Sequence, residues 1–407
     1  MFTITPIKGD IASINGFFAD GLSANISPTK PKNWSDVAFV YSDTMCEVEA
    51  IFTTNSFQAA ALVHYQTYPK DFQTNFVLIN SQNANAMTGQ TGLDNIKQIN
   101  KQLQTSYPNI KNPIFSSTGV IGVQLPVSNI LKSLDDINLC AKNGDKAAKA
   151  ILTTDKYSKT TLYEVKLNDG KTFKIGAIAK GAGMIDPNMA TMLCFICTDA
   201  KVPKSHMKKL LYYANNTTFD TISVDGDTST NDTVMLLANN KSGVYNQDAF
   251  KEVLKLVMQD IALSMISDGE GATKYVVFEV IGAKDDNQAK IIAKKLSNSL
   301  LVKTALFGGD PNWGRIASTI GASGCEVFEN SLSISFVGVI NNKQTTITVY
   351  DKGQIHFDNN IELQASNIFA TTNFKISCDI GIGDGKYTAF GCDLGIEYVK
   401  INSQYRS

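Results

Sequence analysis

"KGAGMIDPNMATMLCFICTDA", residues 180–200, passes from a glycine-rich loop through "NMA" into an apolar run of Met, Leu, Cys, Phe and Ile. A short apolar run bounded by turn-forming residues predicts a buried strand, here starting at Thr191 inside a layered fold. That threonine, directly behind small residues, has two readings. It is either the ordinary first residue of a core strand or a nucleophile whose own peptide bond is cut.

Outward from this stretch, strand patterns occur at "DVAFVYSD" (36–43), "EVEAIFTT" (47–54), "NFVLIN" (75–80), "TFKIGAIA" (172–179) and "VMLLANN" (234–240). The first two are close enough to pair as a hairpin. Helical spacing of apolar residues marks 93–107, 125–152 with a break at Gly144, 203–219 and 246–267. In the second half, "KYVVFEVIGA" (274–283) reads as a strand. Residues 285–306 read as one helix with Ile292, Leu296 and Leu300 on one face. The C-terminal third, from "LSISFVGVI" (332–340) through "TTITVYD" (345–351) to "IEYVKIN" (396–402), reads as mainly β. Strands and helices mix without a regular βαβ repeat, so the expected class is an α/β (α+β) layered sandwich rather than a doubly wound sheet. No repeat and no low-complexity linker interrupts the chain. A division after Ala190, into 1–190 and 191–407, would therefore be chemical and not a domain linker.

The 407 residues carry 37 basic and 38 acidic side chains, a formal charge of −1, with 43% hydrophobic and 18% charged residues. This is globular composition, and it supplies no electrostatic footprint for nucleic acid or an anionic membrane. The N-terminus lacks a basic segment followed by an apolar core, and no apolar run approaches the roughly 20 residues that span a bilayer. The expectation is a soluble, cytoplasmic protein. Seven scattered cysteines suit reduced, buried thiols. Cys194 and Cys197 form a C-x-x-C, but on a strand they face opposite ways, and no second Cys or His pair stands ready to complete a zinc site. Arg315 and Arg406 are the only arginines among the 37 basic residues. Either composition bias left them there, or a planar bidentate guanidinium is required at both places.

Two tempting motifs fail. "GIGDGKY" (381–387) would need a glycine at position 380 and Ser or Thr at 387 to be a phosphate loop, and has Ile380 and Tyr387. "DGDTSTND" (225–232) lacks the glycine and glutamate of a calcium loop, having Thr230 and Leu236. It reads instead as a loop of short hydroxyl and amide side chains suited to lining a polar pocket. His64, His206 and His356 share no partner motif; His206, among lysines, reads as solvated surface. No G-x-S-x-G is present, so any transferase or hydrolase here uses a base other than histidine.

"FSSTGVIGVQLP" (115–126) sets Thr118 and Gly119 between a strand-like and a helix-like segment. Such a turn either presents backbone N–H groups that hold an oxyanion or is a plain turn. For "NMATML" (188–193), a threonine hydroxyl attacking the preceding carbonyl would shift the peptide to an ester that water cleaves. The freed α-amine, with a pKa of about 8, would then serve as base for its own hydroxyl.

Together these segments resemble the ornithine acetyltransferases (glutamate N-acetyltransferases) of arginine biosynthesis, over nearly the whole chain. The resemblance is carried by "VLINSQNANAMTG" (77–89), "SSTGVIG" (116–122), "ILTTD" (151–155), "AKGAGMIDPNMATML" (179–193) and "SVDGDTSTNDT" (223–233). "DGEGATK" (268–274), "FGGDPNWGRI" (307–316) and "YVKINSQYRS" (398–407) extend it. It implies autocleavage between Ala190 and Thr191, with Thr191 as nucleophile of the second chain and Thr118 and Gly119 as the oxyanion hole. Thr154, Lys180, Thr191, Glu270, Asn402 and Ser407 match the family's substrate contacts, with Lys180 suited to a carboxylate and Glu270 to an ammonium group.

The implied reaction is ping-pong. Acetyl passes from N-acetylornithine to Thr191, and then to the α-amine of glutamate. No metal or organic cofactor takes part, although some members also accept acetyl-CoA as donor. The implied fold is the layered α/β arrangement shared with certain N-terminal-nucleophile aminopeptidases, and the implied assembly is a heterotetramer of cleaved α and β chains. Asp186 in "MIDPNMA" and the loosely matching "KGDIASINGFFADG" (8–21) depart from the pattern. A carboxylate that close to the scissile bond would bear on cleavage rate.

Two rivals remain at this point. An aminopeptidase or amidohydrolase on the same scaffold would keep Thr191 and let water resolve the acyl-enzyme. An uncleaved binding protein for a small amino acid would make "NMATML" plain core.

Overall fold

The computed structural model describes residues 1–186 and 192–403; Ala190, Thr191, Arg406 and Ser407 lie outside the described residues. The chain divides into two units, residues 1–220 with 227–265, and residues 221–226 with 266–404. Neither boundary falls at residue 190.

In the first unit, β1 (Phe2–Pro6), β2 (Phe17–Leu22), β3 (Val37–Phe52), β4 (Gln73–Asn80), β5 (Ile114–Ser117), β6 (Lys159–Leu167), β7 (Thr172–Lys180) and β8 (Leu193–Thr198) form one mixed sheet. The short β9 (Ile222–Ser223) belongs to the second unit, and β10 (Thr233–Ala238) completes the sheet of the first. The strand order is β1-β6-β7-β8-β10-β3-β4-β5, with β2 on β3. β8 pairs parallel with β10 and β4 with β5; the remaining pairs are antiparallel.

Both faces are covered, which is why β4 reads as a continuous apolar run instead of alternating. Val77 and Ile79 enter a core with Phe195, Met235 and Ala147, while Phe76 and Leu78 enter another with Ile96, Ile99 and Ile130. These helical residues come from α2 (Gly89–Ser106), which follows α1 (Ala60–Tyr65), and from α3 (Val127–Ser133) and α4 (Gly144–Ala150). α5 (Lys204–Asn216) and α6 (Gln247–Ser267) complete the helices of this half.

One sequence expectation is corrected here and another sharpened. Residues 36–54 are not a hairpin but the single strand β3. Its first half pairs with β2 and its second half with β10, and a register shift against β4 between Tyr41 and Cys46 absorbs the turn-like Ser42-Asp43-Thr44. The break expected at Gly144 lies just before it, between the end of α3 at Ser133 and Gly144, which starts α4. Asp145 N–H donates to Asp10 Oδ2 at 3.0 Å, and a Cβ at Gly144 would sit 2.4 Å from the Asp10 carboxyl carbon, so only glycine lets the acidic cap approach.

The second unit is a seven-stranded sheet ordered β14-β13-β12-β15-β11-β16-β9, built from β11 (Tyr275–Ala283), β12 (Ser333–Ile340), β13 (Lys343–Asp351), β14 (Gln354–Ile355), β15 (Asn373–Asp379) and β16 (Gly385–Cys392). Its alternation is visible in β11, where Val276, Phe278 and Val280 are buried and their neighbours are not. That face packs on α7 (Asp286–Asn298), α8 (Leu300–Gly308), α9 (Trp313–Gly321) and α10 (Asn359–Phe369). The expected helix 285–306 is two helices. Ser299 takes an extended conformation and its Oγ accepts from Val302 N–H, capping α8, so Leu300 leaves the buried face and stands exposed.

The expected strand 396–402 is the helix α11 (Ile396–Ser403). Its β-branched Ile396 and Val399 are exposed, so no sheet face selects the extended form, and Glu397 pairs with Lys400 one turn on. No helix among the described residues is long and apolar enough to cross a membrane.

Candidate active site

In the first unit, β5 ends in a turn held from several sides by side-chain amides. Asn80 Nδ2 donates to Asn83 O at 2.8 Å, Ser117 Oγ to Asn80 Oδ1 at 2.7 Å, and Asn231 Nδ2 to Ala84 O at 2.7 Å and Ser117 O at 2.8 Å. Thr118 follows directly and is buried. Its backbone N–H is occupied by Asn80 O at 2.9 Å, which leaves its hydroxyl and the Gly119 amide as candidate donors to an oxyanion. Gly119 has φ +133°, and a Cβ there would lie 2.2 Å from the Gln82 carbonyl carbon. The turn expected at 115–126 is thus real, and glycine is obligatory in it.

Lys180, the last residue of β7, is 3% exposed. Its Nζ donates to Thr118 Oγ1 at 3.4 Å and stands 3.9 Å from Asp155 Oδ2. Asp155 is the centre of this cluster. Its fully buried side chain pairs with Lys159 Nζ at 2.7 Å and accepts Gly181 N–H at 2.7 Å and Thr153 N–H at 3.2 Å. Burial works against its charge, but the Lys180 and Lys159 ammonium groups and the hydrogen bonds outweigh it and hold the carboxyl below its usual range. Thr154 is half-buried beside it in the chain.

The loop 227–232 grips both described flanks of residues 187–191. Ile185 bridges to Thr228, and Met192 N–H donates to Asp232 Oδ1 at 3.0 Å. Asp232 is fully buried, and its Oδ2 has no hydrogen-bond partner among the described residues. Burial pushes this carboxyl well up, against the pull of the Met192 N–H and the Lys180 charge. Within "DGDTSTND", Thr228 through its backbone and Asp232 through its side chain thus hold the described residues on either side of 187–191.

In the second unit, Glu270 follows α6 and is buried. Asn402 Nδ2, on α11, donates to Glu270 Oε2 at 2.6 Å. Gly271 makes that docking feasible: at φ +68°, a Cβ would lie 2.4 Å from Tyr398 N.

The structure thus joins Thr118 with Lys180, and Glu270 with Asn402. Sequence reading missed Asp155, Asn231 and Asp232 as individuals. Their signal was present in "ILTTD" and "TSTNDT", where an acidic or amide residue closes a hydroxyl-rich run.

Other candidates resolve simply. Arg315 donates from Nη1 to Leu301 O at 2.8 Å and Thr304 Oγ1 at 3.3 Å, tying α9 to α8. His206 is not plain surface; it is half-buried, with Nδ1 2.9 Å from the Tyr245 hydroxyl. Cys194 and Cys197 are both fully buried in β8, and burial pushes both thiols up.

A glycine turn beside a buried lysine, with a buried carboxyl just ahead of β10, is an arrangement compatible with acyl transfer. A model of the ArgJ family matches residues 19–407. The chain is 54% identical to the arginine biosynthesis bifunctional protein ArgJ of Wolinella succinogenes, covering 100% of both chains. It is 38% identical to the protein of that name from Caldanaerobacter subterraneus, over 98% of this chain and 99% of the relative. Among solved structures, a chain of ArgJ from Bacillus halodurans aligns at 36% identity and TM-score 0.46, covering 51% of this chain and 97% of the other. A chain of Mycobacterium tuberculosis ornithine acetyltransferase complexed with ornithine aligns at 25% identity and TM-score 0.39, covering 47% and 100%. The chain belongs to the ArgJ family.

Proposed function

We propose that this protein transfers the acetyl group of N2-acetylornithine to glutamate in arginine biosynthesis, through an acetyl ester on Thr191. The observation that carries the reading is family membership over residues 19–407, supported by the buried Lys180 ammonium against the Thr118 hydroxyl.

The chain first cleaves itself between Ala190 and Thr191, giving 1–190 and 191–407. The new α-amine takes the proton of the Thr191 hydroxyl as its oxygen attacks the acetyl carbonyl. Negative charge on the carbonyl oxygen is met by Thr118 and Gly119. Collapse expels ornithine, which takes the proton from the α-ammonium; the α-amine of glutamate then attacks the ester carbonyl, the bond to Thr191 Oγ breaks, and the proton lost by the glutamate amine returns through the α-amine to Thr191 Oγ. Thr154, Lys180, Thr191, Glu270, Asn402 and Ser407 are taken as the substrate contacts that the family pattern implies. Lys180 pairs with a carboxylate and Glu270 with an ammonium group. No metal or organic cofactor enters this chemistry. The word "bifunctional" in the relatives' names fits acetyl-CoA as a second donor. The reading includes a cytoplasmic heterotetramer of two cleaved pairs and no nucleic-acid or membrane partner.

Intact mass under denaturing conditions tests it, alongside Thr191→Ala. Two fragments meeting at Ala190/Thr191, the second gaining one acetyl group with N-acetylornithine and losing it with glutamate, are expected; the variant stays whole. A single uncut species of about 44.2 kDa in both samples removes the proposed base. Acetate release without glutamate, at the rate of transfer, returns the hydrolase.

A further inference from the structure

The contact between Lys180 and Thr118 has a direction. An ammonium group carries donors and no lone pair, so in the 3.4 Å contact Lys180 Nζ donates and Thr118 Oγ1 accepts. A threonine hydroxyl has a single proton, and with its oxygen engaged by a cation that proton is left to be donated away from Lys180. Both residues are buried, at 3% and 4% exposure. There the field of an adjacent charge is poorly screened and strengthens the hydroxyl as a donor.

The lysine is in turn held. Asp155 Oδ2 lies 3.9 Å from Lys180 Nζ, while Asp155 Oδ1 accepts the N–H of the next residue, Gly181, at 2.7 Å. One carboxylate thus fixes the backbone just after Lys180 and attracts its side chain. Lys159 Nζ at 2.7 Å and Thr153 N–H at 3.2 Å hold that carboxylate in place.

We propose that Asp155 and Lys180 are positioning residues for the Thr118 hydroxyl: Asp155 holds the Lys180 ammonium against Thr118 Oγ1, and Lys180 aims and polarises that hydroxyl as the donor to the acyl oxyanion. Lys180 then serves the transition state through Thr118, in addition to any carboxylate it meets in the ground state. The inference rests on the acetyl-threonine reading above.

The test uses p-nitrophenyl acetate, an acetyl donor with no carboxylate or ammonium group for Lys180 or Glu270 to bind. Thr191 Oγ forms the new bond to the acetyl carbon, the bond to the nitrophenolate oxygen breaks with its electron pair, and the hydroxyl proton passes to the α-amine. Single-turnover acylation is read per mole of cleaved chain, with cleavage and acetyl gain counted by intact mass.

Lys180→Met is expected to slow acylation about tenfold to a hundredfold, and Lys180→Arg, which keeps a buried donor, to recover most of that loss. Thr118→Ala/Lys180→Met is expected to be no slower than Thr118→Ala alone, because the lysine acts through the hydroxyl. Asp155→Asn, which keeps an acceptor for Gly181, is expected to lose several-fold.

Wild-type acylation in Lys180→Met, with only the KM for N-acetylornithine raised, overturns the proposal; so do additive losses in the double variant. Should Lys180→Met remain uncleaved, Asp155→Asn decides, a wild-type rate overturning the proposal. If the wild-type protein itself gains no acetyl group on the second fragment, the acetyl-threonine reading fails first, and that result is distinct from any variant outcome.

Discussion

Asp232 accepts the backbone N–H of Met192 at 3.0 Å, so a fully buried carboxyl in the first unit is fastened to the residue that follows Thr191 in the chain. Removing the acceptor strands a buried N–H, a loss of about 1–3 kcal/mol. Asp232→Ala is therefore expected to lower chemical-denaturation stability by that amount, and Asp232→Asn, which keeps an acceptor, by less.

The same carboxyl sets a pH dependence. Its folded-state pKa is raised by burial, so its contribution is fully present below the unfolded value of about 3.9 and is lost as pH rises through the folded value. Asp232→Asn removes that loss. Melting temperatures of the two proteins are expected to diverge in favour of the variant as pH increases; a constant difference from pH 4 to 9 contradicts the assignment.

Asp155 runs the other way. Its pKa is lowered, since two lysines and the hydrogen bonds outweigh burial, so its stabilisation is present above about 3.9 and is lost as pH falls through the folded value. Lys159→Met takes away the closer of the two lysines, at 2.7 Å. Breaking a buried pair from one side costs about 3–5 kcal/mol. The variant is expected to unfold at markedly lower denaturant, and to recover part of the loss on adding Asp155→Asn.

Gly119→Ala places a methyl group 2.2 Å from the Gln82 carbonyl carbon at φ +133°. The turn must move to admit it. Acyl transfer is expected to fall by about a hundredfold or more if the Gly119 amide is an oxyanion donor, read as kcat on N-acetylornithine. Retention of wild-type kcat excludes that role.

Glu270 accepts from Asn402 at 2.6 Å. A hydrogen bond to a charged group contributes about 1.5–3 kcal/mol. If Glu270 meets the substrate ammonium group, Glu270→Gln is expected to raise the KM for N-acetylornithine about ten- to a hundredfold while acylation by p-nitrophenyl acetate is unchanged. Equal losses on both donors point to a structural role instead.

Much of this was visible in the sequence wherever local pattern and environment agree. β4, β7 and β8 are short apolar runs because both faces of their sheet are covered, and α5 and α6 keep helical spacing along their buried faces. The reading failed where partners decide. Residues 36–54 look like a hairpin because Ser42-Asp43-Thr44 has turn chemistry, yet β2 and β10 hold the two halves in one strand. "IEYVKIN" has strand propensity, but its apolar side chains meet no sheet face, and Gly271 with Glu270 docks it as a helix.

By itself the sequence determined the layered class, the family and the ordered set of motifs, because each is written in composition, periodicity and contiguous residues. Only the tertiary structure decided which motif members act together. Asp155 meets Lys180 across 25 positions and Thr118 meets Lys180 across 62, and Asp232 reaches Met192 across 40. Such contacts are selected by the pairing of β5, β7, β8 and β10 into sheet and turns, and by the high cost of burying a charge without a partner. Neither is a property of any short stretch of chain.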